Sequence, residues 1–130
     1  MNKNELLQRT QHFAVSVFRM VEQLPVTPAA KVVSYQLLKS SSSVAANYRA
    51  VNRAKSDADF CNKLKVVLEE ADESNFWLTF IKDLNLLPQN DLLETLIKES
   101  GELTAIFAAS VKTVTERSKN NKSKILNLNS

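Results

Sequence analysis

The sequence has little of the material that tight turns, disulfides and metal clusters require. Its 130 residues include one glycine and three prolines, so we expect few turns and long secondary-structure elements. One cysteine excludes an intramolecular disulfide, and one histidine excludes a histidine-containing di-metal cluster. No apolar run reaches the roughly 18 residues that a membrane-spanning helix needs. The length and the 44% hydrophobic content are those of one ordinary globular domain.

The first residues and two isolated side chains carry weaker signals. The N-terminal sequence MNKNELLQRTQHF is polar from its start and lacks the apolar segment of an export signal, so we expect a cytoplasmic protein. Cys61 follows Phe60 in a segment where apolar residues recur at helical spacing, which favours a packed thiol over a reactive one. His12, next to Phe13 on an amphipathic segment, is expected at the boundary of the core and not as a catalyst.

Apolar side chains recur at three- and four-residue steps in four segments, which predicts four amphipathic helices. The first should stop at Pro25, and the second should begin at about Pro28 with Thr27 as its N-cap. The apolar phase is the same before and after the serines at 40–43, so the second helix should continue through them. Ser56 and Asp59 resemble a capping box at the start of the third helix. The fourth should follow a turn at 85–90.

Short connections between long helices force the chain to reverse direction at each turn. We therefore predict an all-α fold, an up-down-up-down antiparallel four-helix bundle over residues 1–117. Residues 118–130 are polar and basic, and we expect them to form a mobile tail.

This topology brings residues 1–9, 49–65 and 112–124 to one end of the bundle, which we call the basic pole. The basic pole has 12 cations and four acids, hence a net charge of +8, whereas five cations and ten acids give the rest of the chain −5. Such an end attracts polyanions, of which phosphate backbones are the commonest in the cytoplasm. Alternatively, the lysine-rich termini only increase solubility. The +8 does not depend on the tail alone, however, and Arg49 and Arg53 lie one turn apart.

Eight cations of the basic pole are the candidate contacts to nucleic acid. Tyr48 is the aromatic residue nearby and falls on the core line, so we expect phosphate contacts with little base preference. The candidates are Arg49, Arg53, Lys55, Lys63, Lys65, Lys119, Lys122 and Lys124.

The third helix carries more apolar surface than one core stripe requires. The excess comes from Phe76, Trp77 and Phe80. We expect these three side chains to lie between subunits of a homo-oligomer, because a closed ring buries such patches without leaving an open edge.

An acidic pattern leaves one enzymatic alternative open. Carboxylates at similar spacing on adjacent helices hold magnesium in all-helical nucleoside triphosphate pyrophosphatases, and an antiparallel turn would place Glu73 level with Glu102. The acids in question are Glu69, Glu70, Asp72 and Glu73 on the third helix and Glu99 and Glu102 on the fourth. A solvated or subunit-facing acidic stripe is the simpler interpretation.

Residues 40–87, and more loosely 6–115, resemble the bacterial four-helix-bundle family that includes the large-subunit ribosomal RNA intervening-sequence proteins. The resemblance rests on the small residues ending in Ala45, Ala46 and Asn47, the basic connection from Arg53 to Ser56, and the acid-rich helix that leads to residues 84–87. Many members have an Asn-Ile-Ala-Glu-Gly turn where this chain continues from Asn47 with Tyr-Arg-Ala-Val, so the glycine and the acid are absent.

The resemblance implies a bundle that assembles into a homopentameric ring. It also implies a relation to the accessory proteins of diversity-generating retroelements, which engage a reverse transcriptase and nucleic acid. It supplies no catalytic residue and no cofactor. The predicted function is therefore a non-enzymatic scaffold that binds nucleic acid, with a reverse transcriptase as a candidate protein partner.

Overall fold

The structure, a computed structural model, describes residues 1–128 and contains four helices. They are α1 (Lys3–Val21), α2 (Pro28–Val51), α3 (Asp57–Asp83) and α4 (Asp91–Leu128). Each helix packs on the next along the chain, and α4 also packs on α1, though less extensively. Within residues 1–128 no strand is present, so the predicted all-α, antiparallel four-helix bundle is confirmed.

A side chain with an oxygen acceptor begins each helix. The side-chain oxygens of Asn2, Thr27, Ser56 and Asn90 each accept a hydrogen bond from the backbone N–H three residues further on, at 2.9 to 3.2 Å. These bonds satisfy amide groups that have no partner within the helix. The helix starts predicted at Thr27 and Ser56 are therefore confirmed.

The core is apolar apart from a few buried hydroxyl groups, two of which meet where α2 packs on α3. Leu37, Val67 and Phe107 are fully buried among the side chains of the core. Ser40 and Ser74, both at most 1% exposed, meet there, and the Ser74 hydroxyl lies 3.0 Å from the Ser40 hydroxyl oxygen. The serine run is helical, as the unbroken apolar phase predicts.

Two helix ends differ from the predictions. The first helix ends at Val21, before Pro25, and the loop to Pro28 therefore begins earlier than predicted. At the other end of the chain, α4 continues past residue 117 to Leu128, and residues 119–127 are exposed. The predicted tail is thus an extension of α4 as far as residue 128, residues 129–130 lie outside the described part, and the mobility of 118–130 stays a prediction.

The length and composition of the helices also bear on membrane insertion. Within residues 1–128, none combines the length and the apolar character needed to cross a bilayer.

Candidate nucleic-acid interface

One crevice brings together the helix ends that form the basic pole. It is lined by Lys3 from α1, Tyr48 and Asn52 from α2, Phe60 from α3 and Arg117 from α4. The start of α1, the end of α2, the start of α3 and the part of α4 near Arg117 therefore lie at one end of the bundle. This is the arrangement that the up-down-up-down topology requires.

Seven of the eight candidate cations project into solvent. Arg49, Arg53, Lys55 and Lys65 are exposed, as are Lys119, Lys122 and Lys124 on the extension of α4. Among the described residues, none of the seven has a carboxylate partner within ion-pair distance. Their charges are therefore not neutralised by an ion pair within residues 1–128.

The eighth candidate, Lys63, is held by an acid of its own helix. Its Nζ atom lies 2.5 Å from the Oδ2 atom of Asp59, and the same oxygen accepts the backbone N–H of Lys55 at 3.1 Å. The hydrogen bond from Lys63, with that from the Lys55 amide, lowers the pKa of Asp59 below its ordinary value. Lys63 thus brings less uncompensated charge to the basic pole than its position suggests.

Arg9, which belongs to the basic pole by its position, is likewise engaged by acids. Its Nε and Nη2 atoms form a fork on Glu99, at 2.8 and 2.6 Å, and Nη2 also lies 2.7 Å from Glu102. The hydrogen bond with Glu99 raises the pKa of Arg9 above its ordinary value. This cluster joins α1 to α4 and removes Arg9 from the free charge of the basic pole.

The acidic pattern does not converge on one site. Glu99 and Glu102 point to Arg9 on α1, whereas Glu70 lies near Lys39 of α2. Burial, together with the charge of Glu73, raises the pKa of Glu70. In residues 1–128 no three acidic, histidine or cysteine side chains are placed to hold a metal ion together.

The aromatic surplus on α3 forms a cluster at the surface. Phe76 is 53% exposed and Phe80 38% exposed, while Trp77 packs against the core. The ring centroids lie 4.9 to 5.7 Å apart. The indole N–H of Trp77 is buried and has no hydrogen-bond partner among residues 1–128. Whether a second subunit covers this cluster stays a prediction.

The crevice itself was missed in the sequence. Its lining includes Phe60 and Phe107 as well as Tyr48, which come from three different helices and lie far apart in the chain. Tyr48 belongs to the apolar stripe of α2 as predicted and is 6% exposed, and it also lines the crevice. The sequence signal that could have indicated the crevice was a tyrosine in an apolar stripe, one turn from the end of a helix.

These features define a class: a small antiparallel four-helix bundle with unneutralised cations at one end. The chain belongs to the family of 23S rRNA-intervening sequence proteins, whose match covers residues 2–109. A solved structure from Bacteroides thetaiotaomicron, a protein of unknown function from the S23 ribosomal protein family, is similar to it. The TM-score is 0.74 at 29% identity, covering 86% of this chain and 99% of that one. The comparison with curated proteins found no match.

Proposed function

We propose that this protein is a non-enzymatic, oligomeric scaffold that binds the backbone of nucleic acid through its basic pole. The observation that carries the proposal is the set of seven exposed cations without a carboxylate partner within residues 1–128. Cations of this kind bind polyanions by releasing counterions from phosphates, which gives affinity with little sequence preference. The family description refers to 23S rRNA, so RNA is the first ligand to test.

Oligomerisation would strengthen this binding. The exposed rings of Phe76 and Phe80 form an apolar patch of the type that subunits bury against each other. A ring that presents several basic poles on one face would bind a long polyanion avidly, because the second contact becomes intramolecular. A protein partner such as a reverse transcriptase belongs to the same proposal.

The nucleic-acid part of the proposal is tested with Arg49→Glu combined with Arg53→Glu. Both side chains are exposed at the end of α2, so the double variant should fold normally and lose binding to RNA at about 0.1–0.2 M salt. The control is Lys31→Glu with Lys98→Glu, which makes the same change in net charge at exposed positions outside the basic pole. Equal affinities of the double variant and the unmodified protein would refute the proposal.

The oligomeric part is tested by light scattering at micromolar concentration. We expect a mass well above the 14.6 kDa of one chain, and a lower mass for Phe76→Ser with Phe80→Ser, because serine removes the apolar area that subunits would bury. A 14.6 kDa species for the unmodified protein contradicts this part.

The magnesium-dependent hydrolase has no observation in its favour, since Arg9 occupies Glu99 and Glu102. It would require a metal ion that stabilises the native state. We expect millimolar magnesium to leave the melting temperature unchanged. An increase that Glu73→Gln abolishes would favour the hydrolase.

A further inference from the structure

The crevice at the basic pole has the size of a ligand site and a mixed lining. Its volume is about 490 Å³, within the range of small-molecule pockets. Phe60, which is half-buried, supplies an aromatic wall. Tyr48 and Phe107, which are 6% and 0% exposed and whose rings lie 5.5 Å apart, form the floor. Lys3 and Arg117 line the crevice as well and are exposed. An apolar interior beneath cations fits a flat apolar group attached to an anion.

The hydroxyl group of Tyr48 provides a second, independent observation. Tyr48 is 94% buried by its 6% exposure, yet within residues 1–128 its hydroxyl makes no hydrogen bond and is not sealed from the crevice. Burial raises the pKa of Tyr48, so the hydroxyl is protonated at neutral pH and can donate. The hydroxyl is open to solvent in the crevice, since Tyr48 is not among the buried unpartnered groups of residues 1–128, and it can donate to a ligand that enters.

The amide of Asn52 adds an acceptor to the lining of the crevice. Its Nδ2 atom donates to the Tyr48 carbonyl at 3.2 Å, which leaves its Oδ1 atom for a ligand that lies in the crevice. Ser110 and Thr113, which also line it, donate their hydroxyl protons to carbonyls of their own helix at 2.9 and 3.0 Å and keep oxygen lone pairs. An acyl chain offers these hydroxyl and amide groups no hydrogen-bond partner, whereas the edge of a nucleobase carries both donors and acceptors.

We infer that the crevice receives one unstacked nucleobase of a bound single strand, with an adjoining phosphate on Lys3 or Arg117. This inference rests on the proposed function and adds strand selectivity to it. A duplex keeps its bases stacked and cannot place one in the crevice against Phe60 without unpairing it. A single strand can, and stacking of one base on aromatic side chains strengthens binding about tenfold.

The test compares a single-stranded oligonucleotide that contains 2-aminopurine with a duplex of the same sequence, at about 0.1 M salt. We expect the unmodified protein to bind the single strand about tenfold more tightly and to change the 2-aminopurine fluorescence. Ala109→Trp fills the crevice from an exposed position without changing charge. It should abolish both the preference and the fluorescence change while duplex binding persists.

Ala108→Trp is the matched control, because Ala108 is exposed on the same helix but does not line the crevice. It should behave as the unmodified protein does. If circular dichroism shows that Ala109→Trp is unfolded, Thr113→Trp blocks the same crevice from another exposed position. Tyr48→Phe keeps the aromatic ring and removes the hydroxyl donor, so it should weaken single-strand binding and spare duplex binding.

The outcomes separate this inference from the proposed function. Equal affinity for single strand and duplex, or a preference that survives the blocking variants, overturns the inference and leaves phosphate binding intact. Displacement of the oligonucleotide by decanoate, with decanoate binding abolished by Ala109→Trp, assigns the crevice to an acyl chain and overturns the inference too. Absence of binding to both nucleic acids overturns both proposals.

Discussion

Removal of the Arg9 side chain tests whether the ion cluster between α1 and α4 stabilises the fold. Arg9 and Glu99 have side chains 23% and 22% exposed, and that of Glu102 is 49% exposed. Hydrogen bonds between charged groups contribute about 1.5–3 kcal/mol each when buried, whereas exposed ion pairs contribute about 0–1 kcal/mol. The Arg9–Glu99 fork lies between these limits, at about 1.5 kcal/mol, and the half-exposed Glu102 adds about 0.5 kcal/mol.

We therefore expect Arg9→Met, which keeps an apolar chain of similar length, to lower the free energy of unfolding by about 2 kcal/mol. For a domain of this size, that corresponds to a melting temperature about 7 °C lower. The contribution should be constant across neutral pH, because the raised pKa of Arg9 means that the guanidinium keeps its charge until the pH rises through that pKa. Adding Glu99→Gln and Glu102→Gln should restore part of it by removing two unpaired carboxylates.

The measurement is thermal and urea unfolding at one protein concentration, because association makes the melting temperature depend on concentration. Arg19→Met is the control, since Arg19 is exposed on the same helix and has no ion pair in the part of the chain that the structure describes. A loss below about 0.5 kcal/mol for Arg9→Met, or an equal loss for Arg19→Met, would refute the reasoning.

Two further predictions concern the acids of α3 and the extension of α4. Because burial and the charge of Glu73 raise the pKa of Glu70, ionisation of Glu70 opposes folding at pH 7. Glu70→Gln should therefore raise the melting temperature there, and the difference should vanish as the pH falls through the folded-state pKa. Glu116→Gln, at an exposed site on α4, is the control, and an equal rise in that variant would contradict the cause. Truncation after Ser118 removes residues 119–130, of which 119–127 are exposed, and should leave the melting temperature unchanged. The slope of RNA affinity against salt concentration should become shallower by the equivalent of about two to three phosphate contacts. A markedly lower melting temperature would mean that the extension packs on the bundle.

The fold was accessible from the sequence because its signals are local. Thr27 with Pro28, and Ser56 with Asp59, place the helix starts through hydrogen bonds that span three residues. The end of α4 was less accessible, because a polar sequence such as 119–127 has no apolar phase and its helix depends on the continuation of the preceding turns.

The site was only partly accessible, because its decisive contacts are distant in the chain. Arg9 and Glu99 are 90 residues apart. Nothing in the charge pattern distinguishes an arginine that binds a carboxylate across the bundle through two hydrogen bonds from one that faces solvent. The exposed arginines at 49 and 53 were identifiable from their place at a helix end. The crevice depends on how the start of α1, the end of α2 and the start of α3 meet the middle of α4, which no local pattern encodes.

The paired hydroxyls of Ser40 and Ser74 have a consequence for the alignment of α2 against α3. Leucine and valine stripes tolerate a slide of one helix along another by a turn, since one apolar side chain replaces the next. After such a slide each hydroxyl would keep the hydrogen bond to a carbonyl of its own helix but lose the contact that it makes across the two helices at 3.0 Å. A buried polar pair in an apolar surrounding thus favours one register of α2 against α3 over the registers that the apolar stripes alone would permit.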